Sequence, residues 1–128
     1  MNAIVRNALL STVILCCANL LHALENEAPR DANGRVILQG PVESGIYSQV
    51  HIISESVGVF AILPTTIVDS EIEAPVCVST SSRNLTLRAN VLNCALCIEF
   101  TDGFLLDITI ADNLCMGQGT NRPDILGW

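Results

Sequence analysis

Beyond residue 23 the sequence offers few side chains able to do chemistry: one histidine, His51, and four cysteines, Cys77, Cys94, Cys97 and Cys115. His51 lies in the strand-like run Ile46 to Ser54, where alternation would place Tyr47, Gln49, His51 and Ile53 on one face. With Glu55 or Glu43 as acid-base partner and an arginine to stabilise an anion, it could serve a small hydrolase or ribonuclease. A solvated strand histidine beside a turn is the simpler reading and the one we favour. Nucleophile elbows, phosphate-binding glycine loops and metal-binding histidine pairs are absent, and Asp31-Ala32-Asn33-Gly34 lacks the downstream Glu of a calcium loop. Glu71 and Glu73 on one strand face read as solvated, and Asp102 as a turn residue. The sequence therefore assigns no catalytic, cofactor-binding or metal-ligating residue.

The four cysteines form an even set, as expected of a chain oxidised in an extracellular-type compartment. Cys94-Ala95-Leu96-Cys97 is a CxxC, but no second pair completes a zinc site. Nor does it open a helix, where the dipole would activate a redox thiol. In a regular strand, positions 94 and 97 point to opposite faces about 10 Å apart, beyond the roughly 7 Å limit for a bridge. Cys94 with Cys97 is thus excluded. Taking Val76 and Val78 as core turns Cys77 outward with Cys97, which favours Cys77 with Cys97 and Cys94 with Cys115.

The elements that would position these residues begin after a leader. Met1 to Ala23 joins Arg6, the apolar run Ala8 to Leu21 and a small residue at Ala23, the layout of a secretory signal peptide cleaved after Ala23. The apolar stretch reaches only the roughly 17-residue lower limit of a membrane anchor, contains Asn19 and His22, and is followed by polar, acidic sequence without the Lys/Arg cluster that flanks a retained helix. Leu24 to Gly34 reads as a flexible acidic arm or short propeptide. Residues 35–119 read as one β domain, and 120–128 as a tail that either recognises a partner through Trp128 or folds over an open sheet edge.

Within the domain, short runs rich in Val, Ile, Thr and Leu alternate with Gly, Pro, Asn and Ser, and no helical stripe or internal repeat is evident. The expected fold is all-β, a small disulfide-linked antiparallel sandwich or barrel. Its strongest local feature would be a hairpin of Val91 to Phe100 with Phe104 to Ile110. A three-residue Thr101-Asp102-Gly103 loop pairs Phe100 with Phe104, Ile98 with Leu106, Leu96 with Ile108 and Cys94 with Ile110, so that every core-face pair is apolar.

Charge excludes some partners. Loss of the leader leaves thirteen acidic side chains against five arginines, a balance that disfavours nucleic acids and anionic membranes. Asn84-Leu85-Thr86 is an N-glycosylation sequon, making Asn84 a candidate acceptor. Lysine is absent from all 128 residues, which would spare a protein entering another cell from ubiquitination, although compositional drift is the simpler cause.

A cleaved leader, an acidic arm, about 100 residues of short strands and four cysteines together resemble the small secreted effector proteins of plant-associated fungi. The resemblance is one of format. It implies action by contact with host proteins, without a cofactor, and it transfers no functional residue. It departs from the sandwich effectors in having no mature cysteine near the amino terminus. The expected function is that of a secreted, non-enzymatic protein with an unidentified protein partner. The alternatives are a small secreted hydrolase or ribonuclease using His51 and a carboxylate, and a structural component of a wall or matrix.

Overall fold

A computed structural model describes residues 28–81, 84–101, 106–125 and 127–128; the leader, its two cysteines and His22 lie outside these. Eleven strands are described, β1 (Val36–Gln39), β2 (Ile46–Ser48), β3 (Val50–Ile53), β4 (Val57–Ala61), β5 (Thr65–Val68), β6 (Glu71–Thr80), β7 (Leu85–Arg88), β8 (Val91–Phe100), β9 (Ile108–Ala111), β10 (Leu114–Cys115) and β11 (Gln118–Thr120). Every pairing between them is parallel. They form a seven-stranded sheet in the order β1-β3-β6-β8-β10, with β4 on β6 and β11 on β8, and a four-stranded sheet in the order β2-β5-β7-β9. The chain is a β-solenoid of about three turns.

This overturns the antiparallel sandwich or barrel. Most strand positions agree with the apolar runs, but their partners do not. Val91 to Phe100 does not fold against Phe104 to Ile110: Leu96 pairs with Val76 and Gln118, whereas Ile108 pairs with Leu85 in the other sheet. The hairpin's tip at Asp102 and Gly103 lies outside the described residues. Alternation of apolar side chains is common to parallel and antiparallel strands, so it could not distinguish the two.

The deciding signal is a repeat. Thr66-Ile67-Val68-Asp69-Ser70, Thr86-Leu87-Arg88-Ala89-Asn90 and Thr109-Ile110-Ala111-Asp112-Asn113 occupy equivalent positions, as the registers Thr66 to Thr86 and Thr86 to Thr109 show. One turn alone cannot bury its apolar face, so stability requires stacking of successive turns. Stacking places like on like. Ile52, Ile72 and Leu92 form one internal file, Val59, Val78 and Ile98 a second, and Ile67 with Leu87 a third, all fully buried.

Each turn passes from the four-stranded to the seven-stranded sheet through one tight corner. The corner residue has positive φ every time: Gln49 at 56°, Asp69 at 49°, Ala89 at 59° and Asp112 at 59°. Such a conformation costs a non-glycine residue roughly 1–2 kcal/mol. It also breaks the alternation expected of Ile46 to Ser54, so Tyr47 packs against the core while Gln49 is exposed.

The ends are covered. Ile37 donates its N–H to the Pro29 carbonyl, and Arg30 bridges Val36, so residues 28–30 lie along the outer edge of β1. At the other end Trp128 packs against the core, and its carbonyl accepts the Asn113 N–H. The indole occupies the place where a Cβ on Gly119 would sit, 2.8 Å from Nε1. The tail therefore folds back over the solenoid's end, where unpaired strands would otherwise recruit other chains.

The disulfides are Cys77–Cys94 and Cys97–Cys115, with Cα separations of 5.6 and 6.2 Å. The expected pairing of Cys77 with Cys97 and Cys94 with Cys115 is corrected. Its premise was a regular strand with Cys77 facing out, but Cys77, Cys94 and Cys97 are all buried. The alternation of burial along β8 is broken after Ala95, with Cys97 and Ile98 buried in succession, so Cys94 and Cys97 are both buried. Two disulfides are those of a protein matured in an oxidising, extracellular-type environment. Among the described residues no helix is long and apolar enough to cross a membrane.

Candidate functional site

Two sets of polar side chains follow the corners. The first is internal. Ser70, Asn90 and Asn113 stand at the residue after the positive-φ position and are all buried. Asn113 Oδ1 accepts the Asn90 N–H at 3.0 Å, Asn90 Oδ1 accepts the Ser70 N–H at 2.9 Å, and Ser70 Oγ accepts the Val50 N–H at 3.1 Å. The amide groups donate in turn, Asn90 to the Ile67 carbonyl at 2.8 Å and Asn113 to the Leu87 carbonyl at 3.0 Å. Corner backbone groups that the sheets leave unpaired are thus satisfied from the next turn, as burial demands.

The second set centres one residue further on, at His51 and Glu71, on the outer surface of the seven-stranded sheet, with Glu73 and Asp31 beside them. Stacking of β3 on β6 places His51 beside Glu71 and Ile53 beside Glu73. Asp31 arrives from the turn before β1. Its Oδ1 accepts the Asn33 and Arg35 N–H groups at 2.9 and 2.8 Å, which closes the turn. Its Oδ2 lies 2.8 Å from His51 Nδ1. On the far side of the ring, His51 Nε2 is 2.5 Å from Glu73 Oε2 and 3.8 Å from Glu71 Oε2.

Burial makes this cluster unusual for a surface. The side chains of His51 and Asp31 are each only 10% exposed, and that of Glu71 only 20%. Burial alone would raise the Asp31 carboxyl, but hydrogen bonds from the Arg35 and Asn33 backbones and from His51 outweigh it and hold the group below the usual carboxylate range. An ionised Asp31 only accepts hydrogen bonds, so His51 Nδ1 carries a hydrogen. The arginines nearby are directed elsewhere. Arg35 contacts Asp69, and Arg30 donates to the Gly34 carbonyl. Beside the cluster runs a groove of about 500 Å³ lined by Asn33, Gly34, Arg35, Gln49, Asp69 and Val91.

His51 is therefore brought to Asp31, Glu71 and Glu73, not to the expected Glu43 or Glu55. Glu55 is exposed at the bend between β3 and β4, and Glu43 offers its carbonyl to the Tyr47 hydroxyl at 2.6 Å. The solvated strand histidine is not what forms. The missed partners share one cause. Glu71 and Glu73 stand twenty residues or more from His51, and only the repeat reveals that such residues stack. Asn84, the candidate glycan acceptor, is exposed at the start of β7's turn.

Exposed apolar side chains flank another pair of connected segments. Ser44 Oγ accepts the N–H groups of both Ile62 and Leu63 at 2.8 Å, and the Gly45 carbonyl accepts the Thr66 N–H at 2.9 Å. These bonds bring the 62–63 segment to Ile46. Ile46, Ile62 and Leu63 are 83%, 61% and 65% exposed.

Compared with known protein families, with characterised proteins and with solved structures, the chain matches none.

Proposed function

We propose that the protein is secreted and acts without catalysis, by contact with another protein, in the manner of an effector acting on a host. The observation that carries this reading is the exposed apolar corner at Ile46, Ile62 and Leu63. Clustered exposed apolar groups of this kind mark interaction sites in folded proteins, and here they are held in place by the hydrogen bonds of Ser44. The two disulfides support export. The acidic balance turns the protein away from nucleic acids and anionic membranes.

The hydrolase or ribonuclease reading is disfavoured by His51 itself, which is 8% exposed and engaged by a carboxylate at each nitrogen. A general base needs reach to a substrate proton. The test is retention of host extracellular proteins by immobilised protein compared with Ile46→Glu/Leu63→Glu. A partner held by the parent and lost by the folded variant supports the proposal. Equal retention by both, or hydrolysis of an ester or RNA substrate abolished by His51→Ala, overturns it. Secretion is tested separately by intact mass: protein from the medium should begin near Leu24, and full-length protein retained in membranes would refute export.

A further inference from the structure

The Asp31, His51, Glu71 and Glu73 cluster does not balance its charge. Three carboxylates surround one imidazole, and no arginine pairs with any of the three among the described residues. Even a doubly protonated ring supplies a single positive charge, which leaves a surplus of two negative charges at a position where His51 and Asp31 are nine-tenths buried. Buried charges are ordinarily paired or bound to metal, because desolvation otherwise penalises them heavily. Glu71 makes the deficit specific. Its carboxylate is four-fifths buried, and its ion pair with His51 Nε2, at 3.8 Å, is longer than a hydrogen bond. One ring hydrogen cannot serve both Glu71 and Glu73.

We propose that His51 Nε2, Glu71 and Glu73 bind a divalent first-row cation of the zinc class, with Asp31 holding the ring from behind. Donor atoms of Asp31, His51 and Glu71 all lie within 4.8 Å of one another, and Glu73 Oε2 is 2.5 Å from His51 Nε2, so all three carboxylates converge on the ring. The separations from Nε2 to the two glutamate oxygens, 2.5 and 3.8 Å, bracket the about 3.3 Å expected between donors of a tetrahedral ion with bonds near 2.0–2.1 Å. Glu73 is the most exposed member, at 39%, and has room to open by the difference. The Asp31 contact at Nδ1 matches the carboxylate–histidine–metal arrangement that orients the ring, and it directs Nε2 toward Glu71 and Glu73. A mixed imidazole and carboxylate set suits zinc, whereas magnesium and calcium prefer oxygen alone. Bound there, the ion joins two turns of the solenoid and, through Asp31, fastens the 31–35 turn onto the sheet. This inference stands apart from the contact function and fails or succeeds independently of it.

The experiment is a zinc chloride titration of chelator-stripped, disulfide-intact protein, followed by calorimetry and thermal unfolding. The expected result is saturation at one ion per chain with a rise in Tm, lost in His51→Gln and weakened at least about tenfold in Glu71→Gln and in Asp31→Asn, the scale of ligand and outer-sphere losses at such sites. Glu71→Gln keeps size and hydrogen-bonding capacity at the surface, so it remains a folded comparison should His51→Gln not fold. No heat and no Tm shift in the parent protein would overturn the proposal, as would binding that Glu71→Gln leaves unchanged.

Discussion

The internal ladder of Ser70, Asn90 and Asn113 and the outer cluster around His51 lie on opposite faces of the same strands, and they obey opposite rules. Ser70, Asn90 and Asn113 are buried, neutral and hydrogen-bonded from turn to turn. Asp31, Glu71 and Glu73 set three carboxylates around the single imidazole of His51. The first set is explained by the fold, because it satisfies backbone groups that the corners expose. In the second, Asp31 closes its own turn, but nothing in the fold requires a carboxylate at Glu71. Leu114 and Val91, at the positions stacked on Glu71, show that apolar residues serve there equally well. A polar cluster that exceeds what its own structure can satisfy points to something outside the chain.

The largest break in this contrast should come from Asn90→Ala. It strips partners from the Ser70 N–H and the Ile67 carbonyl, both inaccessible to water, and should cost roughly 3 kcal/mol or more at the 1–3 kcal/mol typical of each orphaned group. A lowered denaturant midpoint with unchanged slope would register it. Trp128→Ala should follow at about 2 kcal/mol, less than a fully buried tryptophan because Trp128 is only partly covered. By uncovering the solenoid's end it should also make the protein associate with rising concentration, seen by light scattering. Ala89→Gly acts in the other direction. Ala89 is exposed with φ of 59°, and glycine there should add about 0.5 kcal/mol of stability, read as a raised unfolding midpoint, since relief of left-handed strain exceeds the added chain entropy.

The smallest effect concerns Tyr47, the first residue of the file beneath the ladder. Burial, and then the nearby Glu43 carboxylate, raise its phenol above the usual range. A folded pKa above the unfolded one means that this contribution is intact below about pH 10 and fades as pH rises through the folded value. Alkaline unfolding curves should therefore show a drop in the parent that Tyr47→Phe lacks.

How far the sequence reaches is best judged from particular residues. Val, Ile and Thr runs broken by turn residues located the strands well, since local composition governs strand formation. Pairing is non-local, and there the alternation of Leu92, Cys94, Leu96, Ile98 and Phe100 misled. It fits a hairpin with Phe104 to Ile110 as well as it fits a stacked strand. It also concealed the break in alternation after Ala95, and with it the true disulfide partners. The information was present in the threonine-led five-residue segments at 66, 86 and 109. Their residues differ enough at the fourth and fifth positions, Asp-Ser, Ala-Asn and Asp-Asn, to escape notice, although a corner tolerates each of them. His51 stood out by type alone. Its partners could not be named without the twenty-residue stacking that makes Glu71 its neighbour.

The most direct measurement compares the two polar sets under chelation, with chemical unfolding of the parent, Asn90→Ala and Glu71→Gln in the presence of EDTA. If the ladder builds the fold and the charged cluster awaits a cation, Asn90→Ala should lose roughly 3 kcal/mol while Glu71→Gln keeps the parent's stability or exceeds it, because a surplus negative charge has been removed. A loss in Glu71→Gln as large as that in Asn90→Ala would contradict the account, since it would make the charged cluster as much a part of the fold as the ladder.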